Sequence, residues 1–291
     1  LLTHAYQPLP SRSGWLAFKI AWAGPDRLDA VYPCWAFLAL RSGSLEVRLQ
    51  GDSSPWRPGC GVVLPPFEVV TLRHRDELAV VSVLLAPSEL VSAAIVSHAP
   101  GPMQVGAFLH DDPDLIHETA RATEACWRSR DVGGRSHEEL ERPFGCAAAA
   151  AIFDARANVP RWHCSPIVRK TKEVIDRRYT HSLRLDGLAR EAGVSKYHLL
   201  RQFRRQVGIA PHAYQVAVRV ARSRELLARG LSAVEVAGRV GFYDQSAYTR
   251  AFRRAAGITP GAYAGLVQGH LPRGSRRGAV ASLPVPYGGF A

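Results

Sequence analysis

Apolar residues recur at intervals of three and four along the second half of the chain. Leu199, Phe203 and Val207 fall at i, i+4 and i+8, which places them on one stripe of an α-helix. Tyr214, Ala217, Val218, Ala221, Leu226 and Leu227 form the apolar side of a longer segment running to Arg229, and Tyr248 with Phe252 mark a third helix from Gln245 to Arg254. Shorter helices are predicted from about Ile167 to Tyr179 and around Asp186–Ala192. The ends of these segments carry the expected punctuation. Gly193 sits where a helix needs a left-handed closing residue, Ser195 is placed to cap the next helix, Gly230 stops the long one, and Ser232 with Glu235 has the S-x-x-E spacing of a capping box. Gly241 closes the helix that follows. Upstream, Leu115, Thr119, Ala122 and Cys126 make one stripe within Asp114–Arg130, and Leu140, Phe144, Ala147 and Ala151 another within His137–Ala157. Before these the period changes. Leu45 to Leu49 alternates with period two, and Tyr32–Leu40, Gly59–Pro66, Val69–Arg73 and Leu78–Leu85 are short apolar runs between Gly and Pro turns. Closely spaced short strands of this kind predict a barrel or jelly roll.

The helical half repeats itself. Phe203-Arg204-Arg205-Gln206-Val207-Gly208-Ile209-Ala210-Pro211 through Tyr214 returns as Phe252-Arg253-Arg254-Ala255-Ala256-Gly257-Ile258-Thr259-Pro260 through Tyr263, 49 residues later. Leu188 to Val194 is echoed, 48 residues on, by Val236 to Phe242. Each copy reads as an apolar helix, a turn at Gly and an Arg-rich second helix, which is the sequence form of a helix-turn-helix. Two copies are too few for a solenoid. The segment between them, at 1.5 Å rise per residue, makes a rod of about 27 Å, a length that sets two reading heads roughly one DNA turn, about 34 Å, apart.

Charge follows the repeat. The chain has 37 Lys and Arg against 25 Asp and Glu, a net +12, but residues 1–166 hold 15 basic and 18 acidic side chains while residues 167–266 hold 19 and 7. Arg273, Arg276 and Arg277 add three more in a Gly- and Pro-rich tail, 269–291, that has the composition of a disordered segment. A basic domain beside a near-neutral one is the footprint of a polyanion binder. No apolar run reaches the roughly 18 residues of a membrane span and no signal peptide is visible. The five cysteines are scattered without a CxxC pair, which argues against a disulfide framework or zinc cluster and fits a reducing cytosol.

The run from Leu188 to Phe203, then Gly208-x-x-Pro211-x-x-Tyr214 and Arg219, resembles the AraC/XylS family of bacterial transcription regulators. Ala237-x-x-x-Gly241-Phe242 with Phe252-Arg253 and Gly257-Ile258-Thr259-Pro260-x-x-Tyr263 is similar to that family's second unit. The resemblance covers about 100 residues, 167–266. It implies two helix-turn-helix units, about 184–207 and 232–255, set in successive major grooves on one face of double-stranded DNA. It also implies base contacts from Tyr197, Leu200 and Arg201 in the first unit and Gln245, Ser246 and Arg250 in the second. Leu200 departs from the polar residue common there, and either contacts a thymine methyl or leaves the first head less discriminating than the second. The chemistry agrees: Arg fits guanine O6/N7 and Gln adenine N6/N7. Lys196, Arg204, Arg205, Arg253 and Arg254 read as phosphate contacts, which position without specifying sequence.

The resemblance extends, with weaker motifs, to the first half, whose order of strands around Gly43 and Gly61-Val62-Val63-Leu64-Pro65-Pro66 is similar to cupin-like sensor domains. The expected fold is therefore α+β. An effector-sensing and dimerisation domain, 1–160, combines a cupin-like barrel with a helical pair at about 114–157. A linker from Asn158 to Pro166 leads into an all-α DNA-binding domain over 161–268. Trp15, Phe18, Trp22, Tyr32, Trp35 and Phe37 are candidates for lining an effector pocket, with ordinary core as the competing reading, and Arg48 and Arg73 are candidates for an anionic effector. The barrel lacks the His-x-His pair of metal-holding cupins, His74 has no partner at ligand spacing, and no GxSxG, phosphate-loop or dinucleotide fingerprint occurs. No metal, cofactor or catalytic residue is expected. The reading is a cytoplasmic regulator, an activator by the family's commoner habit, with an unknown small-molecule effector, RNA polymerase as partner of an activator, and a homodimer among its possible states. An enzyme barrel tethered to DNA and a sequence-nonspecific nucleoid binder are the alternatives.

Overall fold

The computed structural model describes residues 2–8, 16–22, 24–74, 78–86, 88–98, 107–128, 138–158 and 164–268. The expected linker centre, Trp15 and the tail 269–291 lie outside them. The first half is built of β1 (Leu2–Pro8), β2 (Leu16–Trp22), β3 (Asp26–Val31), β4 (Trp35–Ser42), β5 (Leu45–Leu49), β6 (Asp52–Trp56), β7 (Gly61–Leu64), β8 (Val69–His74) and β9 (Ala79–Ala86). Helix α1 (Ser88–His98), strand β10 (Phe108–His110) and helices α2 (Pro113–Arg128) and α3 (Glu138–Asn158) follow.

The strands form two antiparallel sheets, one of six in the order β1-β2-β9-β4-β7-β10 and one of four in the order β3-β8-β5-β6. Period two divides the six-stranded sheet into two apolar faces. Phe18, Ile20, Trp22, Ala36, Leu38, Leu40, Val81, Val83 and Leu85 join Leu28, Val47, Val70 and Leu72 of the smaller sheet in the sandwich interior. Trp35, Phe37, Leu84 and Ala86 point the other way and are covered by α1, α2 and α3 through Val91, Leu115, Phe144 and Ile152. The rings of Phe37 and Phe144 meet edge-on, 4.7 Å apart. The predicted helical pair thus serves as the outer cover of one sheet.

The second half comprises α4 (Pro166–Arg178), α5 (Leu185–Ala192), α6 (Lys196–Val207), α7 (Pro211–Ala228), α8 (Ala233–Arg239), α9 (Gln245–Ala256) and α10 (Pro260–Val267). Helices α4 to α6 and the first turns of α7 share one core with Val31 and Val69 of the sandwich. Val220 and Leu227 of α7, with α8, α9 and α10, belong to the cluster that continues into the sandwich interior.

Candidate nucleic-acid interface

Each helix-turn-helix is fixed by local chemistry that the sequence displays. In the first, Gly193 takes φ +72 and closes α5, and the Ser195 hydroxyl accepts from the His198 N–H to open α6. In the second, Ser232 and Glu235 form the complete reciprocal capping box of α8, and the Asp244 carboxylate accepts from the Ala247 N–H to open α9. Hydrogen bonds from Ser232 hold the Glu235 carboxyl below the usual carboxylate range.

The stripes then decide what faces outward. Leu199, Phe203 and Val207 on α6, and Tyr248, Phe252 and Ala256 on α9, are buried. Tyr197 is 75% exposed; Lys196, Arg201, Arg204 and Arg205 share the open side of α6, and Gln245, Ser246, Arg250, Arg253 and Arg254 that of α9. Lys196 lies 3.6 Å from Asp186 and 5.5 Å over the Tyr197 ring. Leu200 is the exception: it is half-buried and lines a shallow depression with Leu183, Leu185, Leu188 and Pro211. One exposed residue escaped the sequence reading. Tyr243, just before the cap of α9, is 99% exposed. Its neighbour Phe242 is packed against Tyr248 at 5.4 Å; only the change from a packed to a bare aromatic distinguishes them, and sequence does not carry that.

The two heads are tied to each other through α7. Gln215 donates to the carbonyls of Tyr179 and His181, and Arg219 donates to the same two. The Arg219 guanidinium also lies 5.6 Å over the Phe242 ring in the second unit. Gly241, at φ +86, packs so closely on the Thr180 carbonyl that a Cβ would collide with it.

The sandwich grips the first unit. Lys172 of α4 pairs with Glu68 at 2.8 Å, both mostly buried. The Tyr214 hydroxyl donates to Asp176 at 2.9 Å and lies 3.4 Å from the Phe67 carbonyl. Burial pushes the Asp176 carboxyl up, and the Tyr214 hydrogen bond and Lys172 pull against it. Phe67 adopts φ +61, which a bulky residue takes only when its surroundings over-determine it; here its ring lies 4.3 Å beneath the Arg222 guanidinium. The turn between β5 and β6 brings Gly51, φ +97, against the Arg205 carbonyl at the end of α6, and Arg48, raised above as an anion ligand, donates instead to the Gly51 carbonyl.

The candidate effector residues are divided by the sheet. Trp22 and Tyr32 face the sandwich interior with Phe18, whose ring is 6.0 Å from that of Tyr32; Trp35 and Phe37 are on the opposite, helix-covered face. Arg73 is exposed. His74 is buried and hydrogen-bonds the Gly24 carbonyl through Nδ1 at 2.9 Å. Among the described residues no group of three His, Cys, Asp or Glu side chains is placed to hold a metal, and no helix is long and apolar enough to cross a membrane.

Two exposed, cation-rich second helices on a shared helical frame define a tandem helix-turn-helix protein. A family model described as a helix-turn-helix domain matches residues 188–265. The chain is 37% identical over 79 residues to the uncharacterised helix-turn-helix regulator YbfI of Bacillus subtilis, covering 27% of this chain and 29% of YbfI. It is 30% identical over 100 residues to the transcriptional activator AarP of Providencia stuartii, covering 34% of this chain and 74% of AarP. The fold over 87% of the chain is similar to 99% of ToxT from Vibrio cholerae O395, in a structure bound to (E)-4-(8-methylnaphthalen-1-yl)but-3-enoic acid, at 14% identity and a TM-score of 0.55. The chain belongs to the AraC/XylS family of helix-turn-helix transcription regulators. The match spans less than a third of YbfI.

Proposed function

We propose that this chain is a sequence-specific DNA-binding transcription regulator whose placement on DNA is controlled by a small molecule bound to its N-terminal half. The observation that carries the reading is the pair of exposed helix faces, α6 and α9, each backed by a buried stripe, with Arg219 of α7 joining the end of α4 to Phe242 just before α9. Arg201, Gln245, Ser246 and Arg250 read base edges, with Tyr197 and Leu200 making apolar contacts. Lys196, Arg204, Arg205, Arg253 and Arg254 hold phosphates. The half-buried setting of Leu200 makes the first head the less discriminating of the two.

Division at about residue 160 separates the effector half from the DNA-binding half, the name of AarP supports an activator, and RNA polymerase is the partner an activator implies. The acid bound by ToxT supports a small-molecule effector for this chain as well. Cytoplasmic location and a homodimer belong to the same reading. Its test is selection of bound genomic fragments by the purified full chain at about 0.15 M salt. Two short recurring sequence blocks about one helical turn apart are expected. Fragments without common sequence, lost steeply with salt, identify a binder of phosphates alone.

A further inference from the structure

The two helix-turn-helix units differ by one residue between the glycine turn and the second helix. At the turn they match at an offset of 48: the Val194 N–H donates to the Ala189 carbonyl and the Phe242 N–H to that of Ala237. Both side chains, Val194 and Phe242, are packed against apolar clusters. At the start of the helix the offset is 49, with Ser195 capping α6 and Asp244 capping α9. Tyr243 is the residue left over. Its side chain is 99% exposed, and among the described residues no hydrogen bond, ion pair or ring contact involves it. Packing therefore gives no reason for an aromatic at this point, and the bare ring offers apolar area for a partner to cover. Tyr197 of the first head differs, being 75% exposed with the Lys196 ammonium 5.5 Å over its ring.

We infer that Tyr243 is a further specificity-determining residue of the second head, its ring packing on the C5-methyl of a thymine at the edge of the block read by α9. Helix-turn-helix proteins present the N-terminal end of the second helix to base edges. Tyr243 stands at that end, directly before the cap and beside Gln245 and Ser246. Charge sets which part of the DNA it meets. Arg253 and Arg254 lie in the last turn of α9, where they suit phosphates, whereas the charge adjoining Tyr243 in the chain is the Asp244 carboxylate. A phosphate beside that carboxylate is repelled. What the major groove offers an aromatic ring is the thymine methyl, the apolar group among its base edges. Gln245 and Arg250 match polar base edges, and a ring placed ahead of the helix adds an apolar contact outside theirs. The first head, whose turn is one residue shorter, has no counterpart. The inference rests on the base-reading role proposed above for α9 and adds a contact which that role does not include.

The test uses the purified full chain and its Tyr243→Ala and Tyr243→Phe variants in competition titrations at constant salt. The probes are the selected genomic site and copies in which each thymine of the second block and its flanks is replaced singly by deoxyuridine, which removes the C5-methyl alone. One such replacement should weaken the wild type about three- to fivefold, the worth of one buried methyl. Tyr243→Ala should lose at least that factor on the thymine site, cease to distinguish thymine from uracil there, and bind random DNA as the wild type does. Tyr243→Phe should behave as wild type throughout, and both variants should melt with it because the ring is exposed. Absence of any thymine with this pattern, or a uracil penalty that persists in Tyr243→Ala, overturns the inference. So does an equal loss on random DNA, or a Phe variant as impaired as the Ala variant, which assigns the hydroxyl to the DNA backbone. Any of these with selective binding by the wild type fails this inference alone. A wild type that does not prefer the selected site over random DNA fails the regulator reading and this inference with it.

Discussion

Arg250 and Arg253 leave the same exposed side of α9 three residues apart, and a DNA partner distinguishes them. Arg250 lies one turn into the helix, on the side assigned to bases, and Arg253 lies in its last turn. Replacing Arg250 by Ala should cost about 1–3 kcal/mol on the selected site and relax preference at one position. Replacing Arg253 by Ala should weaken all DNA alike and lower the slope of log K against log salt by about 1. Competition binding at several salt concentrations separates the two, and equal losses on random DNA from Arg250→Ala end its base-reading role. A second single residue governs acid stability. Burial in β10 pushes His110 down to about 4, against a smaller upward pull from Asp112 and Asp111. Its ring is therefore neutral in the fold while the unfolded chain takes up a proton near pH 6.5. The stability it contributes is complete above pH 6.5 and is lost as pH falls through about 4, by at most about 3 kcal/mol. Urea unfolding across that window should show the slope, and His110→Leu should flatten it. The outward side chains were legible because helical period alone fixes which residues oppose Phe203 or Phe252. The surroundings of Arg224 were not: Val220, Ala221, Leu227 and Ala228 put it on the apolar stripe of α7, but its place 5.3 Å from the Tyr32 ring comes from a residue far away in sequence.

Between elements, the docking of the sandwich on the first helix-turn-helix includes a close backbone approach at the turn of β5 and β6. Gly51 and Gly59 both hold positive φ, +97 and +92, but a Cβ on Gly51 would strike the Arg205 carbonyl whereas one on Gly59 meets nothing within 4 Å. Gly59→Ala should therefore show backbone strain alone, and Gly51→Ala should be destabilised by about 1–3 kcal/mol more. Equal effects in urea unfolding mean that this contact contributes no stability. Elements with strong local punctuation were readable: the caps at Ser195, Ser232 and Glu235 and the glycine stops at Gly193 and Gly241 lie where the sequence puts them. Strand β5 was found to the residue, Leu45–Leu49, because its alternation is strict. Strands β3 and β6 were missed, since Asp26–Val31 and Asp52–Trp56 are largely polar edge segments, the latter carrying Pro55. Their pairing comes from β8 and β5 rather than from any pattern of their own. The division of Trp22 and Tyr32 from Trp35 and Phe37 was likewise hidden, because an aromatic count says nothing about which side of a sheet each ring takes.

At the scale of the molecule, the two heads behave as one body. Arg219 ties the loop after α4 to Phe242, Gly241 rests on Thr180, and both units share apolar clusters with the sandwich. A flexible tether would tolerate a change of spacing by whole helical turns of DNA, since each head could still find its groove on the same face. A fixed rod of about 27 Å cannot: inserting five base pairs between the two selected blocks turns one to the far side, and inserting ten moves it beyond reach. Both insertions should reduce affinity to that of a single block, and by similar factors, in titrations at constant salt. Recovery with ten base pairs but not five would mean that α7 and its clamps let the heads separate. In that case an effector could act by changing the distance between heads rather than the angle at which a rigid pair is presented.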